Sequence, residues 1–247
     1  MDELNYTREE LNKLEIFNKG GFEGKILIYN DKLLIKAFEP YLRGIIDFDN
    51  KKLKLMRLNQ KNIDGHVLIH PKKLVNVDGQ FEGYVMPKIN EGKTIENFYD
   101  FKTLVNLYKT LFQKLEIIHS NNILIGDVKP ANIVVEDNNP VFIDVDSMGV
   151  DEYKMDHQDF YSNTTKAIPD LMEKVKKNDE AEIDKLKLLS CFIYSINKNR
   201  GNIFDKLMTS NLSDPFKKEI ASILHNNKLN ISQNIHDLFE EETRKTR

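Results

Sequence analysis

The spacing of apolar residues changes once along this chain, from a strand-like pattern before residue 90 to a helical pattern after it. In the first part, short apolar runs are separated by turn-forming pairs such as Asn30-Asp31 and Asp78-Gly79, which predicts antiparallel strands joined by tight turns. A lysine-rich stretch between them has the loose apolar spacing of one helix. The predicted strands are residues 25–29, 32–38, 73–77 and 81–86, and the predicted helix is 49–59.

The second part is dominated by one long amphipathic helix. From Phe101 to Ile118 the apolar residues recur at intervals of one and three, which places them on a single face, and Asp100 is a suitable N-cap. A short β-hairpin follows the helix, with its loop at residues 137–140. Strands followed by helices predict an α+β fold. The hairpin strands are predicted at 133–135 and 141–143, and further helices at 184–197, near 205, at 214–225 and at 232–241.

Composition excludes several classes of protein. Hydrophobic residues make up 40% of the chain, enough for a sizeable core, and the net charge of −3 argues against a dedicated nucleic-acid-binding protein. The single cysteine, Cys191, cannot form an intramolecular disulfide. Neither a run of membrane-spanning length nor the basic-then-apolar order of a signal peptide is visible, so we expect a cytoplasmic protein without a membrane segment. The abundance of lysine and asparagine is typical of a low-GC bacterial or viral gene.

Four polar residues with complementary chemistry follow the long helix. Asp127, Lys129 and Asn132 lie close together in sequence, and Asp144 follows the predicted hairpin. Phosphoryl transfer needs such groups: oxygen ligands for Mg²⁺, a carboxylate that orients the acceptor hydroxyl, and a lysine that neutralises charge on the transferred phosphoryl group. A loop supported by a helix and a hairpin is suited to position them.

These residues resemble the active-site motifs of the protein-kinase-like superfamily. Residues 125–132, Ile-Gly-Asp-Val-Lys-Pro-Ala-Asn, are similar to the catalytic loop, and Asp144-Val145-Asp146 is similar to the metal-binding motif. The resemblance implies that Asp127 is the catalytic carboxylate, that Lys129 contacts the γ-phosphate, and that Asn132 and Asp144 bind Mg²⁺, or Mn²⁺ in its place. It also implies a bilobal fold, with a small antiparallel sheet and one helix in residues 1–88 and a mainly helical lobe in residues 89–247.

By the same resemblance, the first lobe contributes an ATP site. Gly20, Gly21 and Gly24 resemble a glycine-rich phosphate loop, in which residues without a Cβ let the backbone approach phosphate. Ile26 follows where an apolar residue packs against adenine. Lys36, a lone lysine in an apolar strand, matches the lysine that binds the α- and β-phosphates, although an edge-strand lysine facing water is the alternative.

Two further assignments complete the nucleotide site. Met86, Pro87 and Ile89 resemble the segment that leads into the kinase hinge, where a carbonyl and an N–H meet the adenine edge. The family pairs its phosphate-binding lysine with a helix glutamate, which the predicted helix 49–59 lacks. Asp49 is the candidate in its place; the alternative is that the ion pair is absent or that its acid comes from elsewhere in the chain. The lysines of this helix are interpreted as a solvated face.

Several departures from the family pattern bear on regulation. Ile125-Gly126 replaces the His-Arg pair of the family, so gating by phosphorylation of the activation segment is not expected. Asp146 replaces the glycine of the metal-binding motif and adds a carboxylate whose role stays open. Asp184 resembles the aspartate that braces the catalytic-loop backbone. The candidate self-phosphorylation sites are Ser162, Thr164 and Thr165.

Three functions are compatible with these residues. The favoured one is an ATP- and Mg²⁺-dependent Ser/Thr protein kinase, similar to compact bacterial or phage kinases of eukaryotic type. A small-molecule kinase of the aminoglycoside or choline type is the second, because Gly126 fits that group, whereas Lys129-Pro130 fits protein kinases better. The third is a pseudokinase or nucleotide-binding scaffold, which has no physical need for Lys36, Asp127, Asn132 and Asp144 together.

Overall fold

The computed structural model of the protein describes residues 1–18, 22–90, 92–155, 180–197, 202–226 and 231–245. Five of the candidate residues named above lie outside these ranges: Gly20, Gly21, Ser162, Thr164 and Thr165.

A six-stranded sheet forms the first part of the chain and confirms the four strands predicted there. Two strands that were not predicted, β1 and β2, extend it at its two edges. β1 runs parallel to β5, while the other strand pairs are antiparallel, so the sheet is mixed and the expected purely antiparallel sheet is wrong. The spatial order is β1 (Asp2–Tyr6), β5 (Lys73–Val77), β6 (Gln80–Pro87), β4 (Leu33–Phe38), β3 (Gly24–Asn30) and β2 (Ile16–Asn18).

One face of this sheet is covered by the short helix α1 (Arg8–Asn12). Thr7 caps α1 through a capping box, in which the Thr7 side chain accepts from the Glu10 amide while the Glu10 side chain accepts from the Thr7 amide. Leu11 is buried on the sheet beneath it. The small core that results consists of Leu11, Leu27, Ile35, Ala37, Val75, Val77 and Val85.

The opposite face of the sheet packs against helix α2 (Phe48–Gln60), which Asp47 caps by accepting from the Asn50 amide. Apolar side chains of α2 join the main core together with Phe38 and Tyr84 from the sheet. Two lysines of α2, Lys51 and Lys54, are also buried. The interpretation of the α2 lysines as a solvated face is therefore wrong for these two.

The second part of the chain is mainly helical, which confirms the predicted α+β class. Asp100 caps the long helix, as predicted. The rings of Tyr108, Phe192, Phe216 and Phe239 contact one another where the helices meet. Among the described residues, no helix combines the length and the apolar character needed to cross a bilayer. The helices are α3 (Phe101–Ser120), α4 (Glu180–Ile196), α5 (Ile203–Met208), α6 (Asp214–Asn226) and α7 (Ile231–Lys245).

Short strands between α3 and α4 carry the candidate residues. The predicted hairpin is present, but its loop is only Asp137-Asn138, two residues with positive φ, so Pro140 lies in a strand and not in the turn. Pro140 is tolerated there because its strand is at the edge of a three-stranded sheet. These strands are β7 (Lys93–Thr94), β8 (Ile123–Leu124), β9 (Ile133–Glu136), β10 (Asn139–Phe142) and β11 (Gly149–Val150).

Candidate active site

Side chains of helix α4 hold the backbone of the loop between β8 and β9. Asp184 of α4 is buried and accepts hydrogen bonds from the amides of Ile125 at 2.7 Å and Gly126 at 2.9 Å. Lys187, one turn further along α4, donates to the Gly126 carbonyl. Gly126 has a φ of 72°, a conformation that favours glycine, and a Cβ there would displace the Met155 side chain. The predicted bracing role of Asp184 is confirmed.

The loop then presents three functional groups side by side. The Lys129 ammonium lies 2.6 Å from the Asp127 carboxylate, and both side chains are about one-third exposed, at 40% and 30%. Asn132 donates through Nδ2 to the backbone and side-chain oxygens of Asp127, at 3.1 Å each. Because the amide nitrogen faces Asp127, the Asn132 amide oxygen is turned away from it.

The hairpin connects the predicted metal-binding motif to this loop. The Ile143 amide donates to the Asn132 carbonyl at 2.9 Å, which continues the β9–β10 pairing by one step, and Asp144 is the next residue after Ile143. Asp144 has φ 67° and ψ 55°, the left-handed conformation, which is uncommon for a residue with a side chain and clusters at functional sites.

Lys36, on β4, joins the sheet to this cluster. It is 8% exposed, and its Nζ donates to Asp144 and, at 2.6 Å, to Asp146. Burial opposes the charge on Lys36, but the carboxylates of Asp146 and Asp144 outweigh it and raise the lysine pKa above its ordinary value. Burial also raises the pKa of Asp144, in opposition to the attraction of Lys36. The edge-strand alternative for Lys36, facing water, is excluded.

Asp146 lies at the centre of a buried polar network. Its Oδ1 accepts from Lys36 and, at 3.1 Å, from the Tyr84 hydroxyl, while its Oδ2 accepts from Lys51 at 2.9 Å. Burial opposes ionisation here too, but Lys36 and Lys51 outweigh it and hold the pKa of Asp146 well below its usual range. Burial, followed by the charge of Asp146, raises the pKa of Tyr84 well above its usual value, so the hydroxyl keeps its proton and donates.

The predicted partner of Lys36 was wrong. Asp49 is exposed on α2, and Lys36 pairs with Asp144 and Asp146 instead. The helix position that turns towards Lys36 and Asp146 is occupied by a second lysine, Lys51, which also lies 3.0 Å from Glu23. The physical reason is that helix geometry points Lys51 inwards and Asp49 outwards.

Four of the other predicted nucleotide residues, Gly24, Ile26, Met86 and Pro87, lie on strands of the sheet that carries Lys36, and Ile89 lies two residues after β6. Ile26 is the direct cross-strand neighbour of Lys36 on β3, so the two side chains share a face. Met86 is opposite Leu34 on the neighbouring strand and is half-buried, as are Pro87 and Ile89. A Cβ at Gly24, the first residue of β3, would collide with the Ala37 carbonyl, so this glycine allows the close approach of β3 and β4.

The donor atoms suit a magnesium ion. The Asn132 amide oxygen and the Asp144 carboxylate are oxygen ligands, which Mg²⁺ prefers, and Mg²⁺ is commonly held by one or two protein side chains together with substrate phosphates. Within the described part of the chain, no group of three or more His, Cys, Asp or Glu residues could hold a metal alone. Asn132 and Asp144 therefore fit a site in which protein side chains and substrate phosphates bind the ion together, and not a site made of protein ligands alone.

Sequence reasoning missed Lys51 and Tyr84 as members of the cluster. Lys51 stands among several other lysines of α2, and nothing in its spacing distinguishes it from those at the surface. The available signal was a pair of departures from the family pattern: an acid at 146 where the family has glycine, and no glutamate in α2. Together, these departures indicate that the acidic partner of Lys36 comes from the segment at 144–146, and that a basic residue takes the place of the helix glutamate in α2.

Comparison with known proteins supports a relationship to protein kinases. No family model matches the chain. A stretch of 146 residues, covering 55% of this chain, is 32% identical to the eukaryotic translation initiation factor 2-alpha kinase 2 of Plasmodium berghei (strain Anka). The match covers only 4% of that much longer relative.

Proposed function

We propose that this protein is an ATP- and Mg²⁺-dependent phosphotransferase of the bilobal protein-kinase fold, acting on serine or threonine hydroxyls of protein substrates. Residues 1–88 form the small lobe and residues 89–247 the large one. The observations that support the proposal are two groups of polar side chains, Lys36 with Asp144 and Asp127 with Lys129 and Asn132, whose segments are joined by the hydrogen bond from the Ile143 amide to the Asn132 carbonyl. The partial identity to a protein kinase supports the same class of reaction.

Each side chain has a distinct task in this mechanism. Lys36 binds the α- and β-phosphates of ATP, and Asn132 and Asp144 hold the Mg²⁺ ion, which neutralises charge on the phosphates when bound. Asp127 orients the acceptor hydroxyl and receives its proton. Lys129 stabilises the negative charge of the transferred phosphoryl group.

The sheet and the segment after β6 bind the rest of the nucleotide. Ile26 packs against the adenine, and Met86 limits the depth of the adenine pocket. The Pro87 carbonyl and the Ile89 amide meet the adenine edge, and the absence of an N–H on Pro87 does not matter because only its carbonyl is used. Gly20, Gly21 and Gly24 allow the backbone to approach the phosphates.

The test is transfer of labelled phosphate from ATP in the presence of Mg²⁺, with generic protein substrates and with the protein alone. Asp127→Asn and Lys36→Met are expected to reduce transfer by at least about a hundredfold, since each removes a group that acts on the transition state. Asp31→Asn and Lys32→Met, two exposed positions of the β3–β4 turn, are the matched controls and retain activity.

The outcomes separate the candidate functions. Transfer that survives Asp127→Asn contradicts the mechanism. ATP binding without transfer to any acceptor identifies a pseudokinase. Labelling of aminoglycosides or amino alcohols, but not of proteins, identifies a small-molecule kinase with the same phosphate site.

A further inference from the structure

We propose that Asp146 and Lys51 are positioning residues that hold Lys36 for phosphate binding, with the acid supplied by the metal-binding segment and the base by helix α2. This inference rests on the proposed function and assigns Asp146 a role other than metal binding. The network defined by these contacts, Glu23–Lys51–Asp146–Lys36–Asp144, alternates in charge along its whole length.

Both oxygens of Asp146 are already committed to cations. Oδ1 accepts from Lys36 at 2.6 Å and from Tyr84 at 3.1 Å, and Oδ2 accepts from Lys51 at 2.9 Å. The carboxylate is 0% exposed. Turning either oxygen towards a metal ion would take from a buried ammonium one of the carboxylates that face it, which is unfavourable in a buried site. Asp146 therefore serves the lysines and not the metal.

Asp146 provides Lys36 with a carboxylate partner that is separate from Asp144. In the proposed mechanism Asp144 also binds Mg²⁺, so its negative charge is shared between the metal ion and Lys36. A buried ammonium keeps its charge and its place only where a fixed negative group faces it. Asp146 supplies that group from two residues further along the chain, and leaves Asp144 to the metal.

Lys51 balances the second negative charge of this segment. Without it, the neighbouring carboxylates of Asp144 and Asp146 would face Lys36 alone, and like charges at close range repel. The Lys51 side chain is fully buried and bridges Glu23 at 3.0 Å and Asp146 at 2.9 Å. Glu23 immediately precedes β3, at the end of the predicted phosphate loop, so Lys51 connects that loop to the metal-binding segment.

Other basic residues of α2 and its C-terminal end face the same segment. Lys61 forms an ion pair with Asp151, and the Arg57 guanidinium lies 3.7 Å from the Glu152 carboxylate. These two pairs are more exposed than the ion pairs of Lys51 and contribute less to stability, but they too connect α2 to this segment. The charges of this chain thus fix α2 against the segment that carries Asp144 and Asp146.

The test compares single and double charge changes. Asp146→Asn removes the acid but keeps the size of the side chain, and Lys51→Glu brings a carboxylate up to Asp146 and Glu23. Each is expected to lower kcat/KM for ATP by at least about tenfold while KM for the protein acceptor changes less than about twofold. Lys52→Glu, at the next position of α2, where the side chain pairs with Glu3 at the surface, is the control and stays within about twofold.

Rescue gives the sharper result. Lys51→Glu combined with Asp146→Gly moves the acid to the helix, where it can face Lys36. This double variant is expected to recover at least about tenfold in kcat/KM over Lys51→Glu alone and over Asp146→Gly alone, which is measured as the matching single variant; independent structural roles would not produce this non-additivity. The thermal midpoint is recorded for each variant. If a single variant does not fold, a double variant that folds and is active supports the proposal, and one that folds and is inactive overturns it.

ATP affinity, measured by calorimetry, separates this inference from the proposed function. If the wild type transfers phosphate and Asp146→Asn changes neither kcat/KM nor the ATP dissociation constant by more than about twofold, the positioning role is overturned and the function stands. If the wild type binds ATP without transferring it, and Asp146→Asn weakens binding about tenfold, the positioning role stands and the function fails. A wild type that neither binds ATP nor transfers phosphate overturns both.

Discussion

Asp184 is a buried carboxylate that contacts both the start of the candidate catalytic loop and the end of helix α3. It accepts from the amides of Ile125 and Gly126, and its Oδ2 lies 3.1 Å from Nε2 of His119 at the end of α3. Two backbone N–H groups that strand pairing cannot satisfy are thereby paired, which a buried loop requires. A single side chain thus fixes the point from which Asp127 projects.

Asp184→Asn is expected to lower the free energy of unfolding by about 2–4 kcal/mol, because the amide NH₂ would face a backbone donor and leave it unpaired. Chemical denaturation measures the loss. Asp237→Asn, the same change at an exposed position of α7, is expected to stay within about 0.5 kcal/mol. Equal stability of the Asp184→Asn variant and the wild type would contradict the bracing role.

The predictability of individual residues depends on how far away their partners lie in sequence. Asp127, Lys129 and Asn132 stand within one turn-rich loop, so their grouping is visible directly. Lys51 contacts Asp146, which lies 95 residues further along, and helical spacing carries no information about such a partner. A lysine on a helix is normally exposed, and only the charge buried opposite it makes this one an exception.

Helix α1, which follows strand β1, covers one face of the six-stranded sheet. Leu11 projects from α1 into a core shared with Ile35 of β4 and with Val75 and Val85 of the neighbouring strands. Because that core lies on the face of the sheet opposite α2, it is separate from the main core. Without α1, these apolar side chains would face solvent.

Leu11→Ala is therefore expected to lower the free energy of unfolding by about 2–4 kcal/mol, the usual cost of emptying a buried leucine site. Leu53→Ala on α2 is the matched control, because Leu53 is 44% exposed, and it is expected to cost less than about 1 kcal/mol. Denaturant titration with far-UV circular dichroism compares the two variants. Equal losses would show that α1 does not contribute to the core.

Some helices and strands can be predicted from the sequence much more easily than others. The apolar spacing of α3 covers its whole length, and both its N-cap, Asp100, and its helical face were predicted correctly. By contrast, β1 and α1 are each only five residues long, too short for periodicity to be read. The capping box Thr7-x-x-Glu10 was the visible signal of α1, whereas the parallel pairing of β1 with β5 depends on contacts across some 70 residues.

The main core joins the sheet and the helices into one body. It runs from Phe38 and Tyr84 on the sheet, through Leu104 on α3, to Phe192 and Phe239 on the later helices. A continuous core of this kind favours cooperative unfolding, since neither part can lose its packing without exposing apolar surface of the other. The core contains residues on both sides of the proposed lobe boundary at residue 88, so the two parts share their stability.

Cys191 provides an internal probe of this cooperativity. It is the single cysteine of the chain, is fully buried on α4, and has its thiol pKa raised to about 12 by burial, so it is unreactive in the folded protein. Its reaction with a thiol reagent at pH 8 therefore reports opening of the helical part. Cys191 lies in the helical part, whereas Leu11 packs on the sheet. A change at Leu11 therefore alters the labelling rate of Cys191 only if both parts unfold together.

We expect Leu11→Ala to accelerate Cys191 labelling by the factor that matches its loss of stability, about tenfold for every 1.4 kcal/mol, because a destabilised sheet raises the population of the globally unfolded chain. The rate is measured in native buffer with excess reagent, and Leu53→Ala should leave it nearly unchanged. An unaltered labelling rate in a Leu11→Ala protein that has measurably lost stability would show that the sheet opens on its own. The charge network between α2 and residues 144–152 would then have to break in each such opening, and Lys36 and Asp144 would separate without the helices unfolding.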